Sequence, residues 1–184
     1  MNIPNKLTIL RIVLIPFFIL CFYIDTLNQS FTVAGFYTTY ANAIGLLIFA
    51  AAAATDWLDG SLARKLNLIS DFGKFMDPLA DKMLTTAAFL IFINQGLLAS
   101  WVVFIILTRE FIVSGLRMTA ASKGVVIAAG WSGKFKTVLQ FLTIIVLLIH
   151  PELTVVTIVL IYSMTIATVV SGAEYVIKNM SVFK

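Results

Sequence analysis

Apolar residues run along this chain in six long blocks, separated by short clusters of charged, glycine and proline positions. The blocks cover about residues 7–24, 38–57, 79–96, 98–120, 134–150 and 153–176. Each is close to the roughly 20 residues with which an α-helix crosses a hydrocarbon core about 30 Å thick. Inside a bilayer every backbone N–H and C=O must be satisfied within the segment, and a helix does this. The pattern predicts an all-α, polytopic membrane protein: a six-transmembrane-helix bundle with an N-terminal amphipathic segment. Tight turns are predicted at Asn94-Gln95-Gly96 and His150-Pro151-Glu152, where polar and turn-forming residues interrupt the pattern. The polar and aromatic stretch from Asp25 to Thr39 is read as one longer loop. The first block opens with Lys6 and Arg11 and so resembles a signal peptide in outline. No small-residue cleavage site follows it, and the apolar run continues to Tyr23, so it reads as a retained first span.

Composition points the same way. Of 184 residues, 60% are hydrophobic and 12% charged, with a mean hydropathy of +1.01. A soluble domain is about 45–50% apolar and about 25% charged. Six spans with short loops use nearly the whole length, so residues 1–184 read as a single membrane domain. The net charge is +4 and the pI near 9.3. In a bundle of spans this excess follows the preference of basic residues for the cytoplasmic surface, and no nucleic-acid partner is expected. The one cysteine, Cys21, lies in an apolar run and reads as a packing residue.

The basic residues alternate cleanly between loops. Lys6 and Arg11 open the first block; Arg64, Lys65, Lys74 and Lys82 lie between the second and third. Lys123, Lys134 and Lys136 join the fourth and fifth, and Lys178 and Lys184 follow the sixth. The opposite loops hold Asp25, His150 and Glu152 but no Lys or Arg. This bias predicts a multi-pass membrane protein with both termini and the large basic loops facing the cytoplasm. Arg109, Glu110 and Arg117 fall inside the fourth apolar block. A charge deep in a span costs roughly 2.5–3.5 kcal/mol on insertion scales, so these residues should face a bundle interior or a wet cavity. Eight residues apart at about 100° each, Arg109 and Arg117 come within about 80° of one another and can share one cavity.

The segment Asp56-Trp57-Leu58-Asp59-Gly60, followed by Gly73-Lys74-Phe75-Met76-Asp77-Pro78-Leu79-Ala80-Asp81, carries the chemistry. On helices, Asp56 and Asp59 are three apart and Asp77 and Asp81 four apart, so each pair shares a face. Four of the nine acids in the chain fall at this spacing, which a merely solvated loop does not require. Two like charges about 6 Å apart repel by about 3 kcal/mol at an effective dielectric of 20, which favours cations between them. All-oxygen ligation suits Mg²⁺ or Mn²⁺, and the single His and single Cys lie elsewhere. Such a centre flanked by Arg64 suits a phosphate or diphosphate, two ions would clamp a displacement at phosphorus, and one carboxylate can take a hydroxyl proton. Gly60, Ala63 and Gly73 leave room for close approach.

The pattern D-x2-D-G-x2-A-R-x8-G-x3-D-x3-D, complete from Asp56 to Asp81, resembles the signature of the CDP-alcohol phosphotransferases. The resemblance implies a six-helix bundle, usually homodimeric, with a cavity open to cytoplasm and lipid. It implies that Asp56, Asp59, Asp77 and Asp81 are the metal ligands, with Asp81 also the base. Asp56, Gly60, Ala63, Arg64 and Gly73 would hold the CDP-lipid. An alcohol would attack the lipid-bearing phosphate and CMP would leave.

The opening Asn2-Ile3-Pro4-Asn5-Lys6-Leu7-Thr8-Ile9-Leu10-Arg11, the Arg109-Glu110 pair, Ser114-Gly115-Leu116-Arg117 and Gly133-Lys134-Phe135-Lys136 look like one bacterial branch of that family, the phosphatidylglycerophosphate synthases. That branch implies CDP-diacylglycerol and sn-glycerol 3-phosphate as substrates. A phosphorylated acceptor needs cations of its own, for which Arg11, Arg109, Arg117, Lys134 and Lys136 are candidates, with a hydroxyl contact from Thr8. Headgroup contact for the lysines, and capping or packing for Thr8, stand as alternatives. Two other readings remain open: the same chemistry with the acceptor of a cardiolipin, phosphatidylserine or phosphatidylinositol-phosphate synthase, and a divalent-cation transporter. Ala128-Ala129-Gly130-Trp131-Ser132-Gly133-Lys134-Phe135 echoes a phosphate loop but lacks its first Gly and its Ser or Thr.

Overall fold

The computed structural model describes the backbone of residues 3–33, 35–66, 71–125, 127 and 130–180. Each apolar block is a helix. In chain order they are α1 (Ile3–Cys21), α2 (Tyr40–Leu66), α3 (Asp71–Asn94), α4 (Ser100–Ser122), α5 (Trp131–Ile149) and α6 (Val155–Lys178). Among the described residues, α5 and α6 are long and apolar enough to cross a membrane.

Two departures from the sequence reading have local causes. Residues 25–39 are not an irregular loop. A single 3-10 turn (Asp25–Asn28) leads into an antiparallel hairpin of β1 (Ser30–Val33) and β2 (Phe36–Thr39), pairing Ser30 with Thr39 and Val33 with Phe36. Threonine, valine and aromatic residues favour a pleated strand, and Gly35, at φ +86°, takes the left-handed conformation that a two-residue reversal needs. Phe31 stacks on Tyr40 at 4.5 Å between ring centroids, tying the hairpin to the start of α2. The second departure is at α2 and α3, which extend beyond their apolar blocks to Leu66 and back to Asp71. Leu62, Ala63, Arg64 and Lys65 are strong helix formers, so hydropathy falls there while the helix continues.

The chain forms two compact units, Met1–Asn94 with Leu147–Pro151 and Gln95–Val146 with Glu152–Lys184. In the first, α1 packs on both α2 and α3. Asn5, Thr8, Arg11, Ile15, Phe18 and Phe22 recur every three or four residues and are buried, while Leu10, Val13, Phe17 and Leu20 are exposed. Phe18 meets Phe22 edge-on at 5.3 Å and Phe49 of α2 at 6.5 Å. Gly45 makes this approach possible, because a Cβ there would lie 2.8 Å from Phe22 Cζ.

In the second unit α4 packs on α6. The buried face of α6 (Thr157, Ile161, Met164, Thr165, Thr168, Ser171, Tyr175) follows the helical period. Its hydroxyls bond back along the helix: Thr165 to the Ile161 carbonyl and Thr168 to the Met164 carbonyl, each at 2.7 Å. Satisfied in this way, they pack without needing water. The end of α4 is closed by Gly124 at φ +74°, with Gly124 N–H donating to Ala121 and Val125 N–H to Ala120, which satisfies two terminal carbonyls. Thr154 caps the start of α6 by accepting from Thr157 N–H.

Candidate functional site

The acidic segment lies on two consecutive helices of the first unit. Asp56, Asp59, Gly60, Ala63 and Arg64 are on α2; Gly73, Asp77 and Asp81 are on α3. The three- and four-residue spacings therefore fall on helical backbone, where each pair occupies one face. The side chains of Asp56, Asp59, Gly60, Ala63, Arg64, Gly73 and Asp77 lie outside the described residues. Asp81 is described: it is half-buried, and its carbonyl accepts from Thr85 Oγ1 at 3.2 Å. Among the described residues, which include the side chain of only one of the four aspartates, no three His, Cys, Asp or Glu side chains come together. The donor set itself, four carboxylates on adjoining helices with no imidazole or thiolate, fits a hard divalent cation. Thr8 and Arg11 belong to this unit too, on the face of α1 that packs on α2 and α3, both fully buried.

The second unit holds a cavity of about 380 Å³ lined by Arg109, Arg117, Ser132, Glu174, Tyr175 and Lys178 together with neighbouring residues. Arg109 and Arg117 thus do share a cavity, as their eight-residue separation on α4 implies. Arg109 Nη1 donates to Glu110 Oε1 at 3.3 Å, and the same carboxylate pairs with Lys136 of α5, which is buried. Arg117 Nε donates to Tyr175 Oη at 3.1 Å, and its guanidinium carbon lies 5.6 Å from the Tyr175 ring centroid. Glu174 pairs with Lys178 one turn further along α6. Among the charged lining residues three cations face the single carboxylate of Glu174, which suits an anionic ligand.

The candidate lysines are placed differently. Lys134 is exposed, with Nζ 5.2 Å from the ring of the exposed Trp131, and it does not line the cavity. Lys136 serves Glu110 and does not line it either. Glu174, Tyr175 and Lys178 were not singled out as site residues from the sequence. The Glu174–Lys178 spacing of four was visible, but only the fold brings it opposite Arg109 and Arg117.

A helical chain with this acidic signature on consecutive helices and an arginine-lined cavity defines a class. The family model for CDP-alcohol phosphatidyltransferases matches residues 1–171, and the chain belongs to that family. It is 41% identical, over all of its own length and 97% of the relative's, to the CDP-diacylglycerol–glycerol-3-phosphate 3-phosphatidyltransferase of Bacillus subtilis. It is 38% identical to the protein of that name from Escherichia coli, over 83% of this chain and 79% of the relative. It is also 37% identical to a probable phosphatidylglycerophosphate synthase of Mycobacterium tuberculosis, over 97% of this chain and 82% of the relative.

Proposed function

We propose that this chain transfers the phosphatidyl group of CDP-diacylglycerol to sn-glycerol 3-phosphate, giving phosphatidylglycerophosphate and CMP. The carrying observation is the cavity of the second unit that Arg109 and Arg117 both line, with residues of α4, α5 and α6 around it. Two arginines lining one cavity suit the phosphate of a phosphorylated acceptor. The full-length match to relatives with this activity in their names supports the same acceptor.

In this reading Asp56, Asp59, Asp77 and Asp81 hold Mg²⁺ or Mn²⁺, two ions in all. When bound, the metal supplies charge neutralisation at the diphosphate. Arg64 adds a guanidinium to the CDP side, and Gly60, Ala63 and Gly73 leave space for it. Arg109 and Arg117 orient the acceptor phosphate in that cavity. Asp81 takes the proton of the attacking hydroxyl. A bond forms from that oxygen to the lipid-bearing phosphorus, and the bond from that phosphorus to the bridging oxygen breaks, releasing CMP. The chain is a single membrane domain over residues 1–184. It forms a six-span bundle with an N-terminal amphipathic segment and works as a homodimer in the bacterial inner membrane, in contact with membrane lipids. Its termini and site are cytoplasmic, in keeping with the distribution of Lys and Arg.

An acceptor panel tests this. Purified protein with CDP-diacylglycerol is expected to release CMP with sn-glycerol 3-phosphate, and to lose that activity on chelation. CMP release with inositol phosphate, serine or phosphatidylglycerol instead would transfer the protein to another branch of the family. Metal uptake into liposomes with no CMP release would make it a transporter.

A further inference from the structure

An arginine side chain has several rotatable bonds, and an exposed one such as Arg117 keeps much of its freedom unless something holds it. To read a tetrahedral phosphate, the two guanidiniums of α4 must be kept in fixed places. One short stretch of α6 acts on both. At Gly172, a Cβ would lie 2.9 Å from Arg109 Cγ and 3.7 Å from Arg109 Cβ. Ordinary contacts between carbons are about 3.5–4.0 Å, so no side chain fits there while Arg109 stays where it is. The blocked atom is near the root of the side chain, so relief requires rotation about the first side-chain bond and carries the guanidinium away. Gly133 of α5 forms a second wall, where a Cβ would sit 3.4 Å from Arg109 Nη2.

Three residues beyond Gly172, Tyr175 holds Arg117 from two directions, by the hydrogen bond to its hydroxyl and by the ring face under the guanidinium. Tyr175 is itself buried among Val113 and Leu116 of α4, so its hydroxyl does not wander. Arg109 and Arg117 are two turns apart on α4, and Gly172 and Tyr175 one turn apart on α6.

We infer that Gly172 and Tyr175 are positioning residues for acceptor recognition: Gly172 leaves the slot that Arg109 occupies, Tyr175 fixes Arg117, and together they set the geometry in which the cavity takes a phosphate. The identity of that phosphate as the acceptor's rests on the function proposed above.

The test uses the full-length protein in micelles containing CDP-diacylglycerol. Gly172→Ala and Tyr175→Phe are each expected to raise the KM for glycerol 3-phosphate about tenfold, since misplacement by about 1 Å can cost up to ~10²-fold. The kcat at saturating acceptor and the KM for CDP-diacylglycerol should stay near wild type. Displacing Arg109 has a cost that the better helix propensity of alanine partly offsets, so any fall in the melting temperature of Gly172→Ala should be small and should disappear in an Arg109→Ala background. Double-mutant cycles separate positioning from general damage. Tyr175→Phe should add nothing in an Arg117→Ala background, and Gly172→Ala nothing in an Arg109→Ala background. Additive losses, or losses appearing in kcat and melting temperature alike, overturn the inference. Titration calorimetry with inorganic phosphate distinguishes this from failure of the functional reading. If wild type binds phosphate and both variants bind it more weakly, the inference stands whichever acceptor releases CMP. If glycerol 3-phosphate is turned over but both variants keep wild-type KM and phosphate affinity, only the inference fails. A wild type that binds no phosphate sinks both.

Discussion

Two carboxylates, Asp81 and Glu110, carry opposite kinds of burden. Asp81 stands at the end of the signature, on α3, where the proposed reaction needs a proton acceptor. General-base removal typically costs 10²–10⁴-fold, so Asp81→Asn should lower kcat by about that factor while Mn²⁺ binding and the KM for CDP-diacylglycerol change far less. Asp56→Asn, Asp59→Asn or Asp77→Asn should instead lose metal along with activity; Mn²⁺ titration followed by paramagnetic resonance distinguishes the two groups, and full occupancy in the second group would contradict its assignment. Glu110 has a structural burden, because its single carboxylate serves Arg109 and the buried ammonium of Lys136. Breaking a buried pair by deleting one partner costs about 3–5 kcal/mol, chiefly because the other charge is left uncompensated. Glu110→Ala removes this carboxylate from both cations and should destabilise the protein, with that figure as the upper end. Adding Lys136→Met should recover a good part of the loss in thermal unfolding; if Lys136→Met on Glu110→Ala deepens the loss, the pair is not the reason for the cost.

At the scale of elements, the six helices were legible because each carries a long apolar block, and period and length alone mark it. What was not legible had a weaker or a misleading signal. The hairpin at Ser30–Thr39 is only two strands of four residues, and its alternation is blurred by consecutive apolar positions. The far end of α2 and the start of α3 were hidden because hydropathy marks where an apolar stretch ends, whereas propensity decides where the helix ends. Arg64 and Lys65 are poor membrane residues and good helix residues. Helix contacts leave a mark only at small residues such as Gly45, and the partner they admit cannot be named without the fold. A Cβ at Gly45 would sit within 2.8 Å of Phe22, and overpacking of this kind costs about 1–3 kcal/mol. Gly45→Ala should lower the melting temperature of the detergent-solubilised protein, and Phe22→Leu should restore part of it. Additive losses from the two changes would show that the ring is not what Gly45 accommodates.

For the whole molecule, the acidic signature and the arginine-lined cavity differ in legibility because they are encoded differently. The acidic signature is contiguous, eight fixed positions within 26 residues, so spacing alone exposes it. The cavity draws Arg109, Ser132, Tyr175 and Lys178 from three helices, and no local pattern links a tyrosine on α6 to an arginine 58 positions earlier. Charge distribution is the one signal that spans the full chain. Each Lys or Arg near an anionic membrane surface contributes about 1 kcal/mol, and here the basic loops all fall on alternate connections. The hairpin, on a connection free of Lys and Arg, should then face away from the cytoplasm, and the α4–α5 connection toward it. Cys21 is the only cysteine, so Cys21→Ser gives a clean background for labelling. In intact cells, Tyr37→Cys, which is well exposed on β2, should react with a membrane-impermeant maleimide. Lys123→Cys, just beyond α4, should react only after permeabilisation. The reverse pattern would invert the orientation and leave the aspartate segment on the side of the membrane where CDP-activated lipids are not made, which the proposed reaction does not survive.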